Sequence, residues 1–269
     1  MSADVDPAEL VFDAAPRRAR WLPLRPRIGN AIMRGASHIN WAEPELRGLG
    51  AFVRPGDVVF DVGAAHGMYT VPLSHHVGPT GRVLSFDPHP RQQGQLRFLK
   101  GLLGAKQITV IPGAVGSEGG DDYVMRLPYK FGFPIYGHAH IAREPIGDLV
   151  STKAVKYYPT TVYTVDAWCE AAGIDRVSFI KVDVEGFEPS VVAGAVATID
   201  RSRPTMLLEI EDRHLVRYDR SANQFADEIR TRWPDYRMYT WGGDGWVATE
   251  TVSPDTRNYL FATDSALIH

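Results

Sequence analysis

Val58-Val59-Phe60-Asp61-Val62-Gly63-Ala64-Ala65-His66-Gly67-Met68-Tyr69-Thr70 runs from a strand, through a glycine turn, into a helix. Val58, Val59, Phe60 and Val62 are β-branched or aromatic, as a strand covered on both faces requires. Gly63 and Gly67 let the backbone turn sharply and approach a ligand without a Cβ in the way. The helix that follows directs free N–H groups at whatever lies above the strand ends. Asp61 narrows the ligand. A dinucleotide would place a pyrophosphate over this turn, against like charge, and its glycine pattern lacks the middle glycine here, where Ala65 stands. No Lys-Ser/Thr pair follows, so a P-loop is excluded. S-adenosylmethionine (SAM) has no phosphate and carries an ammonium and a sulfonium, which an acid beside the turn favours.

A second acid supports the same ligand. Gly81-Arg82-Val83-Leu84-Ser85-Phe86-Asp87-Pro88 reads as the next strand, ending at Asp87. An acid at the second strand's tip, roughly twenty residues beyond the glycine loop, takes ribose hydroxyls in nucleoside sites. Two ionised oxygens accept both vicinal hydroxyls through charge-assisted bonds. Asp61, Gly63, Gly67 and Asp87 are therefore expected to bind the cofactor, joined by Ala64, His66 and Pro88 from their places in the two turns, and by Asp183.

The 269 residues are 44% hydrophobic, enough for one large α/β core with appendages. A formal charge of −3 gives no reason to expect nucleic acid or an anionic membrane as partner. Cys169 is the single cysteine, so neither an intramolecular disulfide nor a cysteine zinc cluster can form. With no signal-like leader and no apolar run of membrane-spanning length, the expectation is a soluble, cytoplasmic protein.

Residues 1–50 read as an irregular N-terminal extension. Pro16–Arg27 is basic and proline-rich, which argues against one regular helix there. The apolar Trp21, Leu22, Leu24, Ile28, Ile32 and Trp41 need a surface to cover, and a homodimer is expected, with this segment at the interface or the pocket. Residues 51–269 form the main domain. Strands at Ile108–Ile111, Val177–Val182 and Thr205–Ile210 alternate with helices at Arg91–Leu103, Val165–Ala172 and Pro189–Ile199, the rhythm of a doubly wound parallel sheet. The rhythm breaks after Ile111, and a loop insertion is expected over about 127–160, rich in Tyr, His, Gly and Pro.

Strand four ends in Lys181-Val182-Asp183-Val184-Glu185-Gly186-Phe187-Glu188 and strand five in Leu207-Leu208-Glu209-Ile210-Glu211-Asp212. Ligands bind outside the carboxyl ends of an open α/β sheet. Asp61, Asp87, Asp183 and Glu209 would thus crowd one edge, a costly arrangement unless cations, metal or substrate hydroxyls offset it.

Asp61-Val-Gly-Ala-Ala-His-Gly67, Phe86-Asp-Pro-His-Pro90, Thr164-Val-Asp166 and Phe179-Ile-Lys-Val-Asp-Val-Glu-Gly-Phe-Glu188 resemble the FkbM family of SAM-dependent methyltransferases. Lys181 to Gly186 is the most distinctive piece, and the resemblance covers roughly residues 43–212, with Asn258–Phe261 like the family's last strand. It implies a class I, Rossmann-like methyltransferase fold with a mostly parallel seven-stranded sheet. It also implies O-methylation of a hydroxyl on a sugar, glycan or natural-product small molecule. Ala65-His66 stands where the family often has Ala-Asn, and Asp87 where Glu is commoner.

An alcohol is a weak nucleophile at neutral pH and needs a base or a metal. In one scheme Glu185 or a histidine of the central segment, His138 first among them with His140, takes the proton while Asp183 orients the acceptor. In the other, Asp183 and Glu209 hold a hard ion such as Mg²⁺. His214 is a further base candidate. Two other readings compete: a nicotinamide-dependent oxidoreductase, which Asp61 disfavours, and a non-catalytic module binding through the basic N-terminal arm.

Overall fold

The computed structural model describes residues 24–38, 42–143 and 151–267. The strands are β1 Val58–Val62, β2 Arg82–Asp87, β3 Ile108–Pro112, β4 Ala114–Val115, β5 Gly120–Lys130, β6 Phe133–Pro134, β7 His140–Arg143, β8 Val155–Tyr163, β9 Phe179–Val182, β10 Thr205–Glu209, β11 Tyr236–Trp241, β12 Trp246–Ala248 and β13 Asn258–Thr263. The main sheet has the order β12-β11-β13-β10-β9-β1-β2-β3. From β3 to β10 the pairing is parallel, and β13, β11 and β12 add to it antiparallel.

Alternate side chains of the central strands enter two separate cores. Phe60, Val62, Phe86, Ile180 and Leu208 face one side, and Val59, Val83, Phe179, Leu207 and Leu260 the other. The helices α1 Leu24–His38, α2 Thr70–Val77 and α3 Pro90–Leu103 lie on the second side. Helices α4 Val165–Ala171, α5 Glu188–Ala193, α6 Val196–Ser202, α7 Asp212–Leu215 and α8 Ala222–Arg232 follow in the chain, and α4, α6 and α8 bury Trp168, Ile199 and Phe225 in the first core. This is the doubly wound arrangement expected, with β3-β2-β1-β9-β10 as its parallel centre.

Four local expectations are corrected. The sheet has eight strands rather than seven among the described residues, because Gly242–Gly245 is a hairpin turn that returns the short β12 onto β11. The segment expected as a loop over about 127–160 is largely a second sheet, in which β5 pairs with β6, β7 and β8, and β8 with β4. Its prolines conceal strands. At Pro159 the far side of β8 is an open edge, since β4 reaches only Val162 and Tyr163, so the missing N–H costs no ladder bond. Within the extension read as irregular, α1 runs for 15 residues, while the 3-10 helix over Pro44–Ala51 falls where Glu43-Pro44-Glu45-Leu46 reads as a helix start. Pro26 is in the first turn of α1, where a proline N–H would have had no partner anyway. The remainder of Pro16–Arg27, together with Trp21, Leu22 and Trp41, lies outside the described residues. Lastly, the helix expected over Pro189–Ile199 divides into α5 and α6 at Gly194, where a Cβ would fall 1.9 Å from the Gly116 carbonyl oxygen.

Candidate active site

The β1 turn works because of Gly63. Its φ is +81°, and a Cβ there would lie 1.8 Å from the Asp183 carbonyl oxygen, so only glycine lets the tips of β1 and β9 approach. The turn is closed by Gly63 and Ala64 N–H bonds to the Phe86 carbonyl, both 3.0 Å. A pocket opens above it. Val62, Gly63 and Ala65 come from the end of β1 and its turn, Phe86, Asp87 and Pro88 from the end of β2 and its turn, and Asp183, Val184 and Glu185 from the turn after β9. The second sheet roofs it with Met125, His140 and Ile141, joined by Tyr136 from the 3-10 turn that precedes β7.

Asp87 accepts from the Ala65 N–H and the His89 N–H, each at 2.8 Å. With the Gln92 amide nitrogen turned inward, Gln92 donates to both carboxylate oxygens at 3.0 and 3.1 Å. Burial pushes the Asp87 carboxyl up to about 7 against the two backbone donors that hold it down. Tyr136 is edge-on to His66 and His89, and His89 to Tyr158, so an aromatic chain braces the roof against the β2 turn.

The expected cofactor residues divide by position. Gly63, Asp87, Pro88 and Asp183 line the pocket, whereas Asp61, Ala64, His66 and Gly67 do not. Asp61 is buried beneath the turn, accepting from the Thr70 hydroxyl at 2.5 Å, and burial raises its carboxyl to about 6. It anchors α2 to β1 rather than facing a cation in the pocket. Ala64 and Gly67 are buried in the turn, and His66 is exposed at its rim.

Beneath Asp183 lies a polar network that sequence reading missed. Lys181 is fully buried, in register with Asp61, and donates to Asn258 Oδ1 at 3.0 Å with Asp183 Oδ2 at 3.8 Å. Its ammonium sits 4.9 Å from the Tyr69 ring centroid. Tyr69 and Asn258 both donate to Glu43 Oε2, at 2.5 and 2.9 Å. Burial alone would lower the lysine pKa, but Asp183, Glu43, Glu209 and Asp61 outweigh it and raise it. Lys181 is thus the countercharge for the acids at this edge.

Glu188, also fully buried, accepts from the Val184 N–H at 2.9 Å and the Gly186 N–H at 3.2 Å, clamping the turn that presents Asp183 and Glu185. Glu185 holds a positive φ of 57°, and burial, then Asp183, raises its carboxyl to about 7. Its Oε2 lies 3.0 Å from His214 Nε2. Burial and Arg213 lower His214 to about 4, so its imidazole is neutral at pH 7.

His138, expected as a base, closes a one-turn 3-10 helix, is exposed and does not line the pocket. His140, first residue of β7, does. The Asp183 and Glu209 carboxyls are neighbours, and Glu209 is pushed up by burial and then by Asp183. Cations of the chain already face this pair, Lys181 at Asp183 and Arg257 at Glu209 Oε1, so the two together do not call for Mg²⁺.

A doubly wound sheet with a glycine turn on its first strand and an acid at its second tip is a nucleoside-cofactor domain of the class I methyltransferase type. The chain belongs to the FkbM methyltransferase family, whose profile, described as the methyltransferase FkbM domain, matches residues 61–234. Family and fold together support SAM-dependent methyl transfer. The chain is 25% identical over 161 residues to the 2-O-methyltransferase NoeI of Sinorhizobium fredii (strain NBRC 101917 / NGR234), an alignment that covers 56% of this chain and 62% of that protein. The chain therefore spans less than two thirds of that relative. Among solved structures it is similar to a methyltransferase FkbM from Methylobacillus flagellatus KT, with 20% identity, a TM-score of 0.46, and coverage of 77% of this chain and 43% of that one. It is also similar to an O-methyltransferase from Bacillus cereus in complex with SAH, with 12% identity, a TM-score of 0.44, and coverage of 94% and 83%.

Proposed function

We propose that this chain transfers the methyl group of SAM to a hydroxyl of a sugar, glycan or natural-product acceptor. The observation that carries the reading is that Asp183 and Glu185 line the same pocket as Gly63 and Asp87. SAM sits with its ribose on Asp87 and its sulfonium toward the β9 tip. The acceptor oxygen attacks the methyl carbon, the carbon–sulfur bond breaks, and sulfur keeps the electron pair in the demethylated product, SAH. The acceptor's proton passes to a carboxylate beside it, Asp183 or Glu185. Orientation supplies much of the acceleration in such an in-line displacement. The name of the relative NoeI, a 2-O-methyltransferase, supports oxygen as the accepting atom. Family membership decides against the nicotinamide-dependent alternative.

Calorimetry with SAM, SAH and NADH tests the cofactor, and tight NADH binding without SAM or SAH would end the reading. Methyl transfer from labelled SAM to a panel of glycans then tests the acceptor. Asp183→Asn keeps the shape and removes the charge, so SAH binding should persist while turnover falls by on the order of a hundredfold. Full turnover in that variant would remove Asp183 from the chemistry.

A further inference from the structure

Three side chains from three elements converge behind the Asp183 carboxylate. Glu185 comes from the turn after β9, Glu209 from the end of β10 and His214 from α7. Each offers a ligand atom, and the three atoms lie within 4.8 Å of one another. Glu209 and His214 are each 2% exposed. Glu209 Oε2, Glu185 Oε2 and both His214 nitrogens are buried without a hydrogen-bond partner. The 3.0 Å approach of His214 Nε2 to Glu185 Oε2 is not aligned as a hydrogen bond.

Unpartnered buried oxygens of two carboxyl groups, facing each other and an imidazole nitrogen, cost several kcal/mol unless a proton or a cation joins them. The chain's own cations do not. Arg257 engages Glu209 through Oε1 and leaves Oε2, while Lys181 is directed at Asp183 and Asn258. A separation near 3.0 Å is also what two ligands side by side on one ion show, given bonds of ~2.1 Å.

We propose that Glu185, Glu209 and His214 bind a divalent first-row ion of the Mn²⁺ to Zn²⁺ range. One imidazole nitrogen with two carboxylate oxygens matches those ions, whereas Mg²⁺ and Ca²⁺ take oxygen ligands. Glu185 also lines the pocket, so the ion would lie at its edge and could polarise the acceptor oxygen. That role rests on the O-methyl transfer reading, whereas the binding does not. With Glu185 engaged as a ligand, the acceptor's proton passes to Asp183.

The test uses the full chain, stripped with chelator and titrated calorimetrically with MnCl₂, ZnCl₂ and MgCl₂, with Co²⁺ absorption as a second readout of nitrogen ligation. One Mn²⁺ or Zn²⁺ per chain, at least tenfold tighter than Mg²⁺, is expected. His214→Ala and Glu209→Gln should each weaken it at least tenfold while Asp183→Asn retains it. Circular dichroism confirms that each variant is folded. No stoichiometric ion on the wild-type chain, Mg²⁺ binding as tightly, or unchanged affinity in a folded His214→Ala would overturn the site. SAH titrated in parallel separates the two claims. SAH bound without an ion overturns the metal alone, and an ion bound without SAH leaves the metal site standing and removes the cofactor reading.

Discussion

Asp87 carries the sharpest consequence at the scale of one residue. Its carboxyl lies near 7 because burial disfavours the ion, yet the ribose hydroxyls assigned to it need the ion as acceptor. Cofactor binding should therefore release protons and weaken as pH falls from 8 to 6, where more of the free enzyme carries a protonated Asp87. Calorimetry of SAH in buffers of different ionisation enthalpy reads both effects. Asp87→Asn should weaken SAH by roughly ten- to a hundredfold at pH 8, the worth of one or two charge-assisted bonds, and abolish the pH dependence. A wild-type affinity flat across that range would detach the ribose from Asp87. This residue was legible in the sequence because its role follows from spacing along the chain. Glu43 and Asn258 were not, because they meet through a hydrogen bond across 215 positions and no local pattern marks either one.

At the scale of elements, the turn after β9 and the second sheet decide what the pocket presents. Glu188 is buried with its carboxyl near 7, so between about 4.5 and 7 the folded chain holds a proton there that the unfolded chain has released. Its contribution to stability is complete below 4.5 and is lost as pH rises through 7, by on the order of 3 kcal/mol. Glu188→Gln keeps an oxygen for the Val184 and Gly186 N–H groups and removes that dependence. Urea midpoints at pH 5 and pH 8 should differ less in the variant than in the wild type, and equal differences would refute the burial argument. Two glycines make a second comparison. Gly63→Ala forces a Cβ onto the Asp183 carbonyl at a positive φ and should abolish SAH binding or soluble folding. Gly94→Ala, exposed within α3 with nothing inside 4 Å, should stabilise by about 0.5–1 kcal/mol. Thermal melts of both variants check the pair. The β1 and β9 motifs announced their turns through residue type, whereas the second sheet was hidden by Pro128, Pro134 and Pro159, which read as breakers and in fact lie within paired strands.

Across the whole molecule, the site is assembled from both ends of the described chain, since Glu43 precedes β1 and Asn258 opens β13. No helix among the described residues is long and apolar enough to cross a membrane. The extension packs on the main sheet's helices, with Gly29 of α1 set where a Cβ would be 3.1 Å from Leu103 and Val71. That leaves the outer face of α1 to explain. Ile28 and Ile32 are 48% and 64% exposed, one helical turn apart, and on α3 Phe98 and Leu102 repeat the spacing at 73% and 56%. Arg25 reaches the Leu102 carbonyl at 3.4 Å, which sets the start of α1 against the end of α3. Four large apolar side chains on two adjoining helices are more than scattered surface residues account for, and a twofold contact between copies would cover them. Light scattering should find twice the chain mass, and Ile32→Glu combined with Phe98→Glu should halve it while leaving SAH binding intact, because neither residue lines the pocket. A wild-type chain that runs at its single mass would discard the dimer. A dimer indifferent to both charges would place the contact on another face.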